Sequence, residues 1–457
     1  MALAERYNGE IINGDALQMY EGLPVTTNKI SFEERRSIPH HLLGCVKCDD
    51  EPWTVGKFKD QAIKIIEEIR SRGKLPILVG GTHYYTQSLL FKHSIIEDEN
   101  EDSGDRPTGS QIQTWPILAA STYEIFEELK KVDPLMAARW HPHDRRKIQR
   151  SLEIWYMTGR RASDIYEEQR TRRSNVTFDQ DANEGFLGNE EHKSTERFSI
   201  SPLRYDSLIL WTHSSSEELK SRLDKRVDKM LTDGLLSEVG SMNNLYRDLK
   251  SVGQRPAVGQ GIWIAIGYKE FVPYFQALQT DKSPENLKAL KEEGVTRTKA
   301  HSRQYARRQV RWIRTKLIHA LQYSNLSHTL FLLDGSDLSR RAIDVEGQAS
   351  DLVAAFLRNE PLPEPTSLSE VAEDMLQPSK KEKMFAKYCK TCAKTLMSEK
   401  EWHRHVNGKP HKRAQKAENK RWERVAKVNQ PAVRDVSIKP LNPEEYGGTP
   451  EKDSINT

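Results

Sequence analysis

Two short segments stand out in the first hundred residues: Gly9-Glu-Ile-Ile-Asn-Gly-Asp15, ending in a polar turn, and the apolar run Leu75-Pro-Ile-Leu-Val-Gly-Gly81. Runs of this length, closed by polar or glycine turns, read as buried strands of a parallel sheet. Between them, Phe58, Ala62, Ile65, Ile66 and Ile69 recur at helical spacing over Val55–Ser71, and Arg72-Gly73 supplies a stop. Helical spacing resumes at Thr82. Strand, helix, strand, helix is the rhythm of an α/β sheet that holds its ligands at the carboxyl ends of its strands.

Further along, residues 115–173 are helical in pattern and dense in charge, and 174–202 form a polar, Gly/Asn-rich irregular insertion. Asp206–Thr212 reads as another strand, Ser216–Leu249 and Gly261–Tyr323 as helical, and Thr329–Leu333 as a return to the sheet. Repeated Pro, Ser and Glu over Pro361–Pro378 predict a linker. The domain expectation is an α/β core over 1–114 and 204–358, a helical insertion at 115–203, a linker at 359–383, a small finger module at 384–428, and a disordered tail at 429–457.

Composition narrows the class. At 457 residues the chain is too long for one ordinary domain. No apolar run approaches the roughly 18–20 residues that cross a bilayer, and the first residues lack the layout of a secretory signal. A soluble intracellular protein with no membrane partner is expected. The net charge of +4 is unevenly spread, because Lys380–Lys427 holds 16 Lys/Arg against 5 Asp/Glu. A basic region confined to one end suits a polyanion, although a solvated tail would look similar.

Four cysteines in so long a chain do not make a disulfide framework. Cys389 and Cys392 are followed by His405 and His411, with two, twelve and five intervening residues. That spacing closes a tetrahedral zinc site from a hairpin and a following helix, with Leu396 and Trp402 available beneath it. Four protein ligands leave no open position, so the zinc is expected to be structural. The wide histidine spacing resembles matrin-type fingers of RNA-associated proteins. Cys45 and Cys48 have no such partners beyond His40 and His41 and read as ordinary loop cysteines.

Seven segments occur together in one order: Gly9–Tyr20, Thr26–Leu42, Leu78–Tyr85, Asp144–Glu153, Arg222–Met230, Ala265–Glu270 and Tyr305–Trp312. In this order they resemble the tRNA dimethylallyltransferase family, and the appended finger resembles its eukaryotic branch. The resemblance implies a P-loop-NTPase-like parallel sheet with a helical insertion domain. It also implies transfer of a dimethylallyl group, from dimethylallyl diphosphate to the exocyclic amine of the adenosine 3′ of the anticodon. Asp15 matches the family's general base, which an aromatic amine needs because it loses a proton as the C–N bond forms. Without the resemblance Asp15 would read as a turn aspartate. Thr82 is expected beside the acceptor base or the donor. Gln18, Arg146, Lys147 and Arg150 are expected to meet the tRNA anticodon stem-loop, and Arg222 or Arg226 the departing pyrophosphate. Asp224 and Asp228 could instead make those two arginines surface ion pairs. Arg303, Arg307, Arg308 and Arg311 make the last helix of the core basic enough to follow an RNA backbone.

The family's phosphate-binding loop, Gly-x-x-x-x-Gly-Lys-[Ser/Thr], occurs nowhere in the sequence, and Met1–Tyr7 resembles the middle of the helix that follows it. A sheet without its first strand is expected, together with weak donor binding and poor transfer. In the full-length family that loop also serves the Mg that accompanies the diphosphate. A start at an internal methionine accounts for the pattern, and any mitochondrial presequence would lie upstream, so cytoplasmic, mitochondrial and nuclear sites all stay open. Three rival readings remain: an adenylate isopentenyltransferase, a non-catalytic RNA-binding protein on a transferase core, and, on fold rhythm alone, a nucleotide kinase.

Overall fold

The computed structural model describes residues 1–92, 115–168, 203–253, 259–280, 283–378 and 384–428. The irregular insertion expected at 174–202 and the tail from 429 lie outside them. The chain divides into two compact units. One comprises Met1–Met136 with Arg145–Lys381, and the other Ala137–Asp144 with Glu382–Thr457.

In the first unit, a short helix α1 (Ala2–Arg6) leads into β1 (Gly9–Asn13). β1 lies between β2 (His40–His41) and β3 (Leu75–Val79), parallel to both, with Gly9 opposite Leu75 and Asn13 opposite Val79. Every residue of β1 is buried. Helix α2 (Val55–Ser71) is capped by Thr54, whose hydroxyl accepts from Lys57 N at 3.2 Å. It buries Phe58, Ala62, Ile66 and Ile69, the face expected from their spacing. Gly73, at φ +67, turns the chain back into β3, and α3 (His83–Leu90) follows. Helices α4 (Thr122–Val132) and α5 (Arg145–Thr158) fill the expected helical region, α4 opening on a Ser121–Glu124 capping box.

β4 (Ile209–His213) pairs in parallel with β5 (Leu330–Asp334), and α6 (Ser216–Thr232) and α7 (Leu235–Ser251) follow β4. The core strands therefore form a three-stranded and a two-stranded parallel sheet. β3 is half-buried along its length and Val79 is exposed. β4 is likewise mostly half-buried, whereas β5 is sealed over Leu330–Leu333. Among the described residues, β2, β3, β4 and β5 each keep one unpaired edge.

Two expectations are corrected. Residues Gly261–Tyr323 are not continuously helical. Gly261–Ile264 form a single tight turn, and the chain then loops to Phe271 through Gly267, at φ +105. Helix restarts at Val272 and again at Pro284, each with proline in its first turn. The longest helix, α8, spans Pro284–Trp312. The linker expected over 359–383 also differs. Helix α10 (Glu370–Leu376) follows α9 (Gln348–Leu357), and its Ala372 is fully buried in the core of Phe91, Trp211, Ile318 and Leu332. The apolar residues among the prolines, Leu368, Val371, Met375 and Leu376, outweigh the linker-like composition.

The second unit holds an antiparallel hairpin, β6 (Met384–Cys389) and β7 (Lys394–Ser398), then α11 (Glu399–Asn407) and α12 (Lys409–Val428).

Candidate active site and finger cluster

The site is built by two loops that touch. Asn13, buried at the end of β1, accepts from Asp15 N at 3.0 Å through Oδ1. Its Nδ2 donates to the carbonyls of Asp15 at 2.9 Å and Leu42 at 2.8 Å. The Asp15 side chain in turn accepts from Leu17 N at 2.9 Å and Gln18 N at 3.4 Å, both on Oδ1. One carboxylate oxygen is thus fixed by backbone, while Oδ2 points toward Gly81, 3.7 Å from where a Cβ there would sit. The β3 loop passes so close that a Cβ on Gly80 would lie 2.2 Å from the Gly14 carbonyl carbon. Only glycine permits that approach. It brings Thr82 Oγ1 to Ala16 N at 3.0 Å and Thr82 N to Gly14 O at 3.3 Å.

Helix α8 closes a second side. Gln309 Nε2 donates to Gly81 O at 2.5 Å, and Trp312 Nε1 to Gln87 Oε1 at 3.1 Å. Tyr305 lies one turn before Gln309 and feels the Asp15 charge. Burial, then that charge, push its phenol above the ordinary tyrosine range. Tyr85 is also raised, by burial first, with the charges of Arg146 and Asp15 acting in opposite directions. His83 is lowered by burial, which favours its neutral form.

Helix α6 supplies the arginines, and they differ. Arg222 donates to Gly335 O at 2.7 Å and Ser336 O at 2.5 Å, tying α6 to the end of β5. Arg226 reaches solvent, yet the surrounding protein mass lowers its pKa and Asp15 opposes that shift. It therefore stands in an open cleft within electrostatic range of Asp15. The nearby acids are engaged elsewhere: Asp224 with Arg303, and Asp228 with Lys299 at 2.6 Å.

A hydrogen bond thus joins Thr82 to the Asp15 turn, Arg226 lies within electrostatic range of Asp15, and Arg146 within that of Tyr85. Arg222 is committed to backbone. Gln18 donates to Asn28 O at 3.0 Å, Arg150 pairs with Glu153 at 3.4 Å, and Lys147 is exposed on α5. Arg307, Arg308 and Arg311 are exposed and form no ion pair among the described residues, unlike Arg303. Sequence reasoning missed Asn13, Tyr85, Tyr305 and Gln309. All four sit inside the seven quoted segments, and the i,i+4 spacing of Tyr305 and Gln309 put them on one helical face.

In the finger, His411 Nδ1 lies 3.6 Å from Cys389 Sγ and 3.4 Å from Cys392 Sγ. The four donor atoms of Cys389, Cys392, His405 and His411 lie within 4.8 Å of one another. Sulfur and nitrogen ligands of one tetrahedral zinc are separated by about 3.5 Å, so the spacing fits. His405 Nε2 is buried with no hydrogen-bond partner, a cost that a ligated ion would remove. The two histidines do not share one helix: α11 ends at Asn407, and Gly408-Lys409-Pro410 separates His405 from His411. Cys45 and Cys48 are free and stand outside this cluster.

A half-buried carboxylate and a threonine just past the ends of parallel strands, an exposed arginine on α6, and a two-Cys, two-His finger suit an α/β enzyme with a nucleic-acid-type module. The IPP transferase pattern matches residues 18–316, and a double-stranded-RNA-binding zinc-finger pattern matches 387–412. The tRNA dimethylallyltransferase of Saccharomyces cerevisiae is 33% identical over 90% of this chain and 87% of its own length, and the human protein 30% over 99% and 89%. That of Schizosaccharomyces pombe is 39% identical over 69% of this chain, which spans 64% of that relative. A eukaryotic dimethylallyltransferase solved acting on tRNA superposes with a TM-score of 0.71 at 32% identity, covering 94% of this chain and 95% of that one. The chain belongs to the IPP transferase family.

Among the described residues no helix is long and apolar enough to cross a membrane.

Proposed function

We propose that this chain is built to transfer a dimethylallyl group from dimethylallyl diphosphate to the exocyclic amine of an adenosine in the anticodon loop of tRNA. The observation that carries the reading is the convergence of Asp15, Thr82 and Arg226, with Asp15 Oδ1 held by backbone and Oδ2 free. In the transfer, the bond from the donor carbon to the diphosphate oxygen breaks as the C–N bond forms. Asp15 Oδ2 takes the proton the amine must lose, and Arg226 stabilises the pyrophosphate that leaves. Thr82 fixes the Asp15 turn through Ala16 N. Arg146, Lys147 and Arg150 on α5, with Arg307, Arg308 and Arg311 on α8, hold RNA phosphates. Gln18 steadies the following loop.

Cys389, Cys392, His405 and His411 would hold one zinc ion, whose role is to stabilise the finger fold. Its basic helices add phosphate affinity with little sequence choice. Mg is assigned to the phosphate loop of the full-length family, and no described residue is given to it.

A second reading is tRNA binding with little transfer, favoured by the basic Lys380–Lys427 stretch and the exposed Arg307, Arg308 and Arg311. Incubation with an unmodified anticodon stem-loop and dimethylallyl diphosphate, read by mass spectrometry, separates the two. Where transfer is seen, Asp15→Asn is expected to reduce it by about 100-fold or more. Transfer undiminished in Asp15→Asn would rule out Asp15 as the base.

A further inference from the structure

The proposal rests on the functional reading above and concerns how the target base is held. A purine brought out of its loop has lost its stacking neighbours, and a site that works on it must offer a flat face in return. Beside the Asp15 turn, α8 presents an aromatic ring that is open to solvent. Tyr305 is 41% exposed, lies one turn before Gln309, whose Nε2 donates to Gly81 O, and is within electrostatic range of Asp15. Tyr85, the other ring beside Asp15, is unavailable because it stacks on Phe58 at 4.5 Å and donates to Trp53 O at 3.0 Å.

The placement of Tyr305 is rigid. Gln309, one turn on, is bonded to Gly81 O. One turn earlier, His301 Nδ1 meets the fully buried Glu270 at 2.6 Å, and Glu270 also accepts from Gly267 N at 2.8 Å. His301, Tyr305 and Gln309 share one face of α8, so the ring is held between two fixed points. The exposed Arg307, Arg308 and Arg311 beside it suit the phosphates of the same loop.

We propose that Tyr305 is the stacking residue for the everted purine, its ring forming one wall of the acceptor site and held there by the Gln309 and His301 contacts on the same face of α8. The ring recognises a flat base, and Asp15 recognises its amine.

The test uses an anticodon stem-loop carrying 2-aminopurine at the target position, titrated with the 457-residue chain and with Tyr305→Phe, Tyr305→Trp, Tyr305→Leu and Tyr305→Gln. Phe and Trp keep a flat ring and are expected to bind within about threefold of the parent, whereas Leu and Gln weaken binding about tenfold and leave 2-aminopurine unquenched. Both non-aromatic variants occupy a partly exposed position, so their melting temperatures are expected to stay close to the parent's, and the salt dependence of binding is expected not to change. Wild-type affinity and quenching in Leu and Gln would overturn the stacking role alone. If the parent does not prefer the stem-loop over a duplex of equal charge, the functional reading itself fails.

Discussion

Two arginines four residues apart look interchangeable, and their surroundings separate them. Arg222 satisfies two backbone carbonyls at the end of β5, so its removal leaves both acceptors without their charged donor. Arg222→Ala is expected to lower unfolding free energy by about 2 kcal/mol, measurable by urea denaturation. Arg226 is exposed on α6, makes no such carbonyl contact among the described residues, and lies within electrostatic range of Asp15. Arg226→Ala is expected to leave the urea midpoint in place while raising the KM for the diphosphate about tenfold or more. The reverse pattern would exchange their roles. A residue-level reading of the sequence reached the pair and stopped, because helical spacing shows that two side chains share a face but not what lies opposite. The same limit hid Asn13, whose value comes from accepting and donating to the Asp15 turn.

Elements are held to one another by contacts that admit little substitution. Gly80 lets the β3 loop cross Gly14, and any Cβ would strike backbone, which cannot rotate away. Gly80→Ala is expected to cost on the order of 3 kcal/mol and to abolish transfer by parting Thr82 from Ala16, as a thermal melt with a stem-loop assay would show. The base of the same sheet carries a charge cluster. Glu10, buried in β1, accepts from His41 at 2.7 Å, Arg72 at 2.6 Å and Lys74 at 2.8 Å. Burial alone would raise its pKa, but hydrogen bonds from Lys74 and His41 and the Arg72 and Lys74 charges bring it below the usual carboxylate range. A lowered folded pKa means that the stabilisation is present above the unfolded value and disappears as pH falls through the folded one. Glu10→Gln is therefore expected to destabilise at neutral pH, by on the order of 3 kcal/mol, and to flatten the acid limb of stability against pH. The strands and α2 were legible because apolar period alone specifies them. The break at Gly267 and the packed Glu370–Leu376 helix were not, since one depends on the buried Glu270 carboxylate holding Gly267 N and the other on a tertiary core.

At the scale of the molecule, the two units rest on different physics. The finger buries little apolar surface, so its fold depends on joining four ligands, while the first unit carries its own cores. A strong chelator is expected to release about one zinc per chain and to unprotect 384–428 in hydrogen exchange, leaving protection of β1 and β5 unchanged. Within the first unit the weak point is the divided sheet. Parallel strands are ordinarily covered on both faces, yet β2, β3, β4 and β5 each have one edge without a partner among the described residues. Helix α1 adds to the core around β5 and α9: Leu3, like Leu208 and Leu210, packs against the cluster of Phe331, Leu333, Ala349 and Leu352, and Arg6 donates to Ser350 Oγ at 2.6 Å.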